Sequence, residues 1–346
     1  MTDRSKVSPL APAECFASYL PPQLSLRRSS VAYAPSNIAL AKYWGKRDWQ
    51  LNLPLNSSVS ISLADWGSQT RIMAAKMGCD EIYFNGAPLA LATGFAKKIL
   101  RFVGLFRRDQ ILPLRIETDN TIPTAAGMAS SASGFAALTL ALNAAFDLNL
   151  PKPVLSMLAR FGSGSATRSL WHGFVRWERG VAVDGRDSFA QPLAPTWPAF
   201  RIAIVPVDTR QKAQSSRDGM NHTVATSPLF KSWPEQAEAD AETISKAIFA
   251  RNFRALGETA EANALAMHAT MAAARPALCY LNPDSWAVLH QVWAARTQGH
   301  EIYATMDAGA NVKLLFLARE EATVRQRFAT ADIICPFGQR LKGSPQ

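Results

Sequence analysis

The sequence predicts an α+β protein built from two lobes. Strand patterns and helical patterns are mixed along the chain without a strict βαβ alternation, and their character changes after residue 208. The length of 346 residues, with 48% hydrophobic and 18% charged residues, suits a globular chain of two lobes. We place the boundary loosely between residues 190 and 210, which makes the lobes residues 29–200 and 201–346.

The first half of the chain carries both strand and helix signals. NSSVSISL, residues 56–63, alternates serine with Val59, Ile61 and Leu63, which is typical of a strand with one buried face. EIYF followed by Asn85-Gly86 predicts a second strand that ends in a tight hairpin turn. LPLRIET, after Pro113, is expected to be extended. Helices are expected over residues 89–106, from the small-residue loop to about 148, and from after Pro151-Lys-Pro to near Phe161.

The second half begins with a strand and continues with long helices. FRIAIVPV, residues 200–207, is rich in Ile and Val and predicts a central strand. Helical segments follow from Pro234 to about Ala274. Asn282 and Pro283 are a suitable N-cap and first-turn residue for another helix. EIYATM and VKLLFLA, separated by the turn-prone DAGAN, predict a hairpin.

The N-terminus and the cysteines bear on the compartment. Residues 1–28 contain several prolines and no continuous apolar segment, so we expect an irregular extension. No apolar run approaches transmembrane length, so we expect no membrane-spanning helix. The four cysteines show no CxxC pairing or regular spacing, so neither a zinc site nor a disulfide framework is predicted. A reducing cytoplasm is the simplest location.

The net charge of +10 predicts an acidic partner, which could be nucleic acid, a membrane surface or a phosphorylated small molecule. The basic residues are spread along the chain without the dense tracts of nucleic-acid binders, which favours small anionic substrates. Nucleic-acid binding therefore rests on net charge alone. The sequence contains neither GxxxxGK[ST] nor GxGxxG, and its five histidines lack metal-site spacing.

PTAAGMASSASGFAAL, residues 123–138, places small residues and serines before an apolar helix. Such a loop lets backbone N–H groups approach a ligand where a helix begins, and a helix start attracts anions. The segment is a candidate phosphate cradle. A small-residue loop that packs tightly under a buried helix is an equally weighted alternative.

Three further segments carry candidate anion-binding groups. Lys42 and Lys46 stand four residues apart with Tyr43 between them, so a helical turn would bring both ammonium groups to one side. A solvated basic face is the alternative. GSGSATRS and QSSRDGM each place serines beside an arginine, whose planar fork binds carboxylate or phosphate oxygens. Because these two loops belong to different lobes, we expect them to line one cleft.

Asp307, in TMDAGAN, is the candidate acid. A carboxylate at a strand end, among Ala and Gly that leave room for a ligand, suits a general base or a stabiliser of positive charge. Ordinary turn chemistry is the alternative.

These motifs together resemble the diphosphomevalonate decarboxylase family. PSNIALAKYWGKRD, LNLPLNSSVSISL, PTAAGMASSASGFAAL, GSGSATRSLWHGF, SSRDGMNHTV, AMHATM and TMDAGANVKLL occur in the family's order, and the resemblance covers roughly residues 30–320. The family lies in the superfamily of galactokinase, homoserine kinase, mevalonate kinase and phosphomevalonate kinase. The resemblance implies a GHMP-kinase-like α+β fold, with a ribosomal protein S5 domain 2-like N-terminal lobe, a ferredoxin-like C-terminal lobe and the active site in the cleft.

The resemblance also implies an activity, in which ATP and (R)-5-diphosphomevalonate give isopentenyl diphosphate, ADP, phosphate and CO2, with Mg²⁺ as the expected cation. It implies a cytoplasmic homodimer. Asp307 would face the tertiary hydroxyl as base or cation stabiliser, Arg168 would hold the substrate carboxylate, and Lys42 would lie near the acid and the transferred phosphoryl group. Ser131 is a further implied catalytic residue. The implied substrate-binding residues are Asn37, Tyr43, Lys46, Ser163, Ser165, Ser216 and Arg217, and the implied ATP-binding residues are Ala126, Gly127, Ala129, Ser130, Ser131 and Ser133.

The sequence departs from the family pattern at three places. Ala310 stands where proline is usual, Thr167 where cysteine is frequent and Met128 where leucine is frequent, and all three changes leave the charged groups in place. Three alternatives stay open. They are decarboxylation of 5-phosphomevalonate to isopentenyl phosphate, a related mevalonate-type kinase, and a catalytically silent ligand-binding protein on the same fold.

Overall fold

The computed structural model describes residues 11–108, 110–122, 131–208 and 214–338. The first part of the chain contains α1 (Pro12–Ala17), β1 (Ser30–Ala41), β2 (Lys46–Asp48), β3 (Leu53–Pro54), β4 (Ser58–Ala74), β5 (Glu81–Phe84), β6 (Ala87–Pro88), α2 (Gly94–Arg107), β7 (Leu114–Asn120), α3 (Ser131–Ala145) and α4 (Lys152–Gly162). The second part contains β8 (Phe174–Trp177), β9 (Ala190–Pro192), β10 (Phe200–Val205), α5 (Ser216–Thr226), α6 (Trp233–Ala250), α7 (Phe253–Ala272), α8 (Pro283–Thr297), β11 (Tyr303–Met306), β12 (Val312–Leu317), α9 (Glu321–Arg327) and β13 (Asp332–Ile334).

A large sheet organises the N-terminal lobe. Within the described residues it has seven strands in the order β6-β5-β7-β4-β8-β9, and β1 pairs with β4 along most of its length. The strand predicted from NSSVSISL is confirmed, and it continues to Ala74. The predicted hairpin is also confirmed, because Asn85 and Gly86 both have positive φ, as a two-residue turn between antiparallel strands requires.

Strand β1 was not predicted from the sequence. Its second half is buried almost continuously, so no alternation of polar and apolar residues marks it. Pro35 interrupts the pattern further, and the pairing with β4 shifts register between Pro35 and Asn37. The expected helical turn around Lys42 and Lys46 is wrong, because Lys42 follows this strand and Lys46 begins β2.

Helices α2, α3 and α4 cover the face of the sheet that lies away from the second lobe. Their predicted existence is confirmed. Helix α2 begins at Gly94 rather than near residue 89, because the Thr93 side chain accepts a hydrogen bond from the Ala96 N–H and caps the helix. The predicted small-residue loop after α4 contains a 3₁₀ helix, Gly164–Leu170.

The expectation of an irregular N-terminal extension is wrong for residues 12–17, which form α1. Phe16 is fully buried, and its ring contacts Phe102, Phe106 and Phe161 edge to face at centroid distances of 5.1–6.3 Å. Leu20 and Leu24 join the same core. Burial of these large side chains holds the segment against α2 and α4.

The C-terminal lobe has a four-stranded sheet in the order β11-β12-β10-β13, with antiparallel neighbours throughout. If the four strands are numbered 1 to 4 along the chain, their order across the sheet is 2-3-1-4, which is the ferredoxin-like arrangement. The predicted central position of FRIAIV is confirmed, since β10 lies between β12 and β13. The predicted cap of α8 is confirmed, because the Asn282 side chain accepts from the Ser285 N–H.

The two lobes share a hydrophobic core. Ile38 and Ile61 of the large sheet pack in one cluster with Ile202 of β10, Ile244 of α6 and Leu256 of α7. Helix α6 contacts β1 and β4 of the large sheet, and α7 contacts β1 as well as β11 and β12 of the small sheet. The opposite face of the small sheet packs against α8 and α9. The two-lobed α+β prediction is thereby confirmed, while the lobe boundary near residue 200 stays a prediction.

All four cysteines are free thiols. In the part of the chain that the structure describes, no helix combines the length and apolar character needed to cross a bilayer.

Candidate active site

A cavity of about 1410 Å³ lies between the lobes. Its volume exceeds the range of roughly 300–1,000 Å³ that is typical of sites for one small molecule. Side chains from both lobes line it. The predicted site residues in its lining are Asn37, Lys42, Tyr43, Lys46, Ser131, Ser163, Ser165, Arg168, Ser216, Arg217 and Asp307. The structure brings these groups to one place, and their individual roles stay predictions.

The predicted ATP loop is only partly covered by the described residues. Ser131 begins α3 and lines the cavity. Ser133 is fully buried instead, and its Oγ lies 3.0 Å from Ser36 Oγ and 2.8 Å from Ser68 Oγ. Ser133 therefore lies in the interior of the lobe and is not among the residues that line the cavity. The other predicted members lie outside the described residues, namely Ala126, Gly127, Ala129 and Ser130, together with Met128.

Asp307 follows β11 and meets two ammonium groups. Lys42 Nζ lies 2.9 Å from Asp307 Oδ1, and Lys313 Nζ lies 3.3 Å from Oδ2. The Asp307 backbone carbonyl accepts from the Gly309 N–H and faces His268 Nε2 at 3.2 Å. The Asp307 side chain is 41% exposed, whereas both lysine side chains are buried. This geometry places the acid, with an ammonium group on each carboxylate oxygen, at the cavity wall.

The backbone around Lys42 is held by two asparagines. The Lys42 N–H donates to Asn263 Oδ1, and the Lys42 carbonyl accepts from Asn56 Nδ2, each at 2.8 Å. The ammonium also donates to the Ala39 carbonyl. Burial lowers the pKa of Lys42 to about 8, although Asp307 opposes this shift. Lys42 therefore remains mostly charged at neutral pH and rigidly placed.

Arg168 lies on the 3₁₀ helix after α4 and is also buried. Its Nη1 donates to Ser58 Oγ at 2.7 Å, and its Nε donates to Asn37 Oδ1 at 3.4 Å. The Asn37 amide is fixed in turn by Ser169 Oγ. Burial lowers the pKa of Arg168 to about 10, so the guanidinium stays charged at neutral pH. Two of its five N–H donors are used by these bonds, which leaves donors for an anion in the cavity.

A second set of three basic side chains lines the cavity, namely Lys46, Lys98 and Arg217. Burial, and then repulsion by Arg217 and Lys98, lowers the pKa of Lys46 to about 7. Burial and Arg217 lower the pKa of Lys98 to about 8. Among the described residues, no carboxylate forms an ion pair with any of the three. Cations that repel one another without a protein counter-ion are suited to bind a polyanion.

Tyr43 forms part of the cavity wall between these groups. Its ring packs against Trp177 at a centroid distance of 4.8 Å. Gly164 lies so close that a Cβ there would be 2.7 Å from Tyr43 Cε1, so only glycine fits. The buried Tyr43 Oη has no hydrogen-bond partner within the described ranges. Burial also raises its pKa, so this phenol remains a proton donor for a ligand oxygen.

Several residues that line the cavity or hold its charged groups in place were missed in the sequence. Lys98 belongs to a helix whose pattern gave no reason to separate it from other surface lysines. Lys313 had a readable signal, because it is a single lysine within the apolar strand VKLLFL. His268 and Asn263 lie on α7, more than 200 residues beyond Lys42, and only the fold brings them to the site.

Fold and cavity together define a two-lobed α+β protein of the GHMP-kinase class. Residues 34–190 match the family model of the diphosphomevalonate decarboxylase-like N-terminal domain. Residues 202–336 match that of the mevalonate 5-diphosphate decarboxylase C-terminal domain. The chain therefore belongs to the diphosphomevalonate decarboxylase family.

Individual relatives agree with this assignment. Diphosphomevalonate decarboxylase of Saccharomyces cerevisiae is 38% identical over 310 residues, which cover 84% of this chain and 78% of the relative. Mevalonate diphosphate decarboxylase of Staphylococcus aureus has a similar crystal structure, with a TM-score of 0.84, 35% identity and coverage of 89% and 95% of the two chains. A structure of MDDEF in complex with MVAPP, AMPPCP and magnesium has a TM-score of 0.83 and 38% sequence identity. The match covers 88% of this chain and 95% of that chain.

Proposed function

We propose that this protein is an ATP-dependent decarboxylase. It converts (R)-5-diphosphomevalonate into isopentenyl diphosphate, with release of ADP, phosphate and CO2, in the mevalonate pathway of isoprenoid biosynthesis. The observation that carries the proposal is the Lys42–Asp307 ion pair, which shares one cavity with the buried Arg168 and with a separate set of three cations. Family membership and the MVAPP complex of a relative support the same conclusion.

The distribution of charge orients the substrate. The diphosphate binds Lys46, Lys98 and Arg217, which lack protein counter-ions among the described residues. Ser163 and Ser165, whose hydroxyls lie 3.3 Å apart, add neutral donors in the same cavity. The substrate carboxylate binds the free donors of Arg168, which orients it for loss of CO2. The tertiary hydroxyl then faces Asp307.

The reaction joins three bond changes. The γ-phosphoryl group of ATP passes to the tertiary hydroxyl, and the C–O bond then breaks with release of phosphate. The carboxylate leaves as CO2 while its bonding electron pair forms the new double bond. Asp307 either accepts the hydroxyl proton or stabilises the positive charge at the carbon, and both roles require an ionised carboxylate. Lys42 neutralises charge on the transferred phosphoryl group.

We assign ATP and Mg²⁺ to the remaining part of the cavity. Ser131 presents its hydroxyl at the start of the 15-residue helix α3, where N–H groups attract phosphate. In the described parts of the chain, no group of three or more His, Cys, Asp or Glu side chains is placed to hold a metal ion. Mg²⁺ suits such a site, because it is commonly held by substrate phosphates with few protein ligands. The ion would reduce repulsion between the phosphates and the incoming hydroxyl oxygen.

A turnover assay tests the proposal. Purified protein is incubated with ATP, Mg²⁺ and 5-diphosphomevalonate, and ADP and CO2 are measured together. We expect equal amounts of both products. ADP without CO2 would show a kinase, and binding of both substrates without either product would show a silent binding protein.

Decarboxylation of 5-phosphomevalonate to isopentenyl phosphate is the second candidate. The three cations favour the diphosphate, because they offer more positive charge than one phosphate neutralises. We expect a higher kcat/KM for the diphosphate, and expect Lys98→Met to reduce that preference. An equal kcat/KM for both substrates in the parent enzyme would contradict the assignment.

The homodimer and the cytoplasmic location also belong to the proposal. Four free thiols support a reducing compartment. The homodimer rests on resemblance to the family. Light scattering of the purified protein measures the mass in solution, and a mass of one chain would exclude the dimer.

A further inference from the structure

We propose that Lys313 is a positioning residue for the decarboxylation, and that it holds Asp307 ionised and oriented while Lys42 serves the transferred phosphoryl group. This inference rests on the proposed function. It assigns a role to a buried lysine that neither the motifs nor the substrate-binding geometry requires.

The β11–β12 hairpin places Lys313 beside the acid. Lys313 is the second residue of β12, and it pairs with Thr305 of β11, two residues before Asp307. Its Nζ lies 3.3 Å from Asp307 Oδ2 and donates to the Asn311 carbonyl at 3.2 Å. The residue is 4% exposed. Both ends of this ion pair therefore belong to one rigid hairpin.

The two lysines contact different oxygens of the same carboxylate. Lys42 reaches Oδ1 from the N-terminal lobe, and Lys313 reaches Oδ2 from the strand that adjoins the acid. A phosphoryl group near Lys42 competes with Oδ1 for its ammonium. Lys313 then remains on Oδ2, so the acid keeps a cationic partner through the reaction.

Within the described ranges, the other charged groups near this carboxylate differ from Lys313 in their contacts. Arg168 on the 3₁₀ helix interacts electrostatically with Asp307, but its hydrogen bonds go to Ser58 and Asn37 and its remaining donors are assigned to the substrate carboxylate. His268 on α7 faces the Asp307 backbone carbonyl rather than its carboxylate, and burial lowers its pKa to about 4, so it is neutral at neutral pH. Asp208, after β10, also lines the cavity, and its side chain is acidic rather than basic. Lys313 is thus the second ammonium on the acid among the described residues.

Two variants test the role of the charge. Lys313→Met removes the ammonium with little change in shape, and Lys313→Arg keeps a cation. We expect Lys313→Met to lower kcat by about 10²-fold, as misplacement of a reacting group does, while KM for 5-diphosphomevalonate stays near that of the parent. We also expect the acid-side loss of activity to move to higher pH, because a carboxylate with fewer cationic neighbours binds a proton more readily. Lys313→Arg should restore the acid-side profile.

Arg296→Met is the matched control. Arg296 forms a largely buried ion pair with Glu261, which accepts the Ala304 N–H of β11, so its loss weakens support of the same hairpin away from the cavity. We expect a lower Tm and an unchanged pH profile of kcat. If Lys313→Met unfolds, Lys313→Gln, which can still donate to the Asn311 carbonyl, takes its place.

The outcomes separate the two proposals. If the parent enzyme is active and Lys313→Met has the same kcat and pH profile as the parent, this inference alone is overturned. A lowered Tm with an unchanged profile, as in Arg296→Met, would assign Lys313 to stability and would also overturn it. A parent enzyme that does not convert 5-diphosphomevalonate would overturn the proposed function and this inference with it.

Discussion

Lys42 Nζ lies 2.9 Å from Asp307 Oδ1, although 265 positions separate the two residues in the chain. Lys42 follows β1 of the large sheet, and Asp307 follows β11 of the small one. The ion pair therefore forms only when both lobes fold and pack against each other. It joins the acid to the lobe that carries Arg168 and Ser131, which makes the cavity a single reaction site.

Replacement of the acid tests its place in the reaction. Asp307→Asn keeps the shape but removes the charge, so we expect kcat to fall by about 10²–10⁴-fold, the usual contribution of a general base. Binding of ATP should persist, because Asp307 is assigned to the hydroxyl rather than to the nucleotide. Product formation and calorimetric binding measure the two effects. Asp119→Asn, at an exposed position, is the control, and equal turnover in Asp307→Asn and the parent would refute the assignment.

The geometry of Arg168 is also testable. Arg168→Lys keeps a positive charge but loses the fork that contacts Ser58 and Asn37. We expect kcat/KM for 5-diphosphomevalonate to fall by about 10²-fold, since the carboxylate is then poorly oriented. Ser58→Ala removes one contact and should have a smaller effect in the same assay. A larger loss in Ser58→Ala than in Arg168→Lys would contradict the role of the arginine.

Substrate binding should take up protons. The pKa of Lys46 is lowered to about 7 and that of Lys98 to about 8, so both lysines are largely neutral at pH 8.5 without a ligand. A diphosphate beside them raises both pKa values, and protons are then bound. Calorimetry in buffers of different ionisation enthalpy measures this uptake.

The matched variant for this experiment is Lys98→Met. It should bind the diphosphate more weakly and take up fewer protons at the same pH. Identical binding enthalpies of the parent protein in all buffers would show that the two lysines are charged before the ligand binds.

His268 predicts a loss of stability at low pH. Burial, and then the charge of Lys42, lowers its pKa from 6.5 to about 4. The unfolded chain therefore binds more protons than the folded one between these values, and the free energy of unfolding decreases as pH falls from about 6.5 to about 4. Urea unfolding across this range should show a shallower pH dependence in His268→Gln. An unchanged dependence would mean that the imidazole is not the group responsible.

The N-terminal helix should contribute strongly to stability. Phe16→Ala removes a fully buried ring from contacts with three other phenylalanines, so we expect a loss of about 3–5 kcal/mol in the free energy of unfolding. Met77→Ala, at a side chain that is 80% exposed, should have little effect in the same denaturant titration. Equal stability of both variants would show that α1 is not part of the folded core.

Local signals in the sequence predicted the elements that local physics controls. The alternation from Val59 to Leu63, the Asn85-Gly86 turn and the Asn282 cap each depend on neighbouring residues, and the structure confirms all three. Strand β1 escaped prediction because its second half is buried on both faces and its register shifts after Pro35. The helical turn expected near Lys42 failed because spacing alone does not distinguish a strand end from a helix.

The sequence by itself determined the local strands and helices and the set of charged side chains available for chemistry. Only the tertiary structure decided which charged groups lie close together. It brings Lys42 and Lys313 to Asp307, and it brings Lys98 and Arg217 close enough to Lys46 to repel it. The reason is physical. Interaction between charges depends on distance and burial, and both are set by the packing of distant segments rather than by neighbours in the chain.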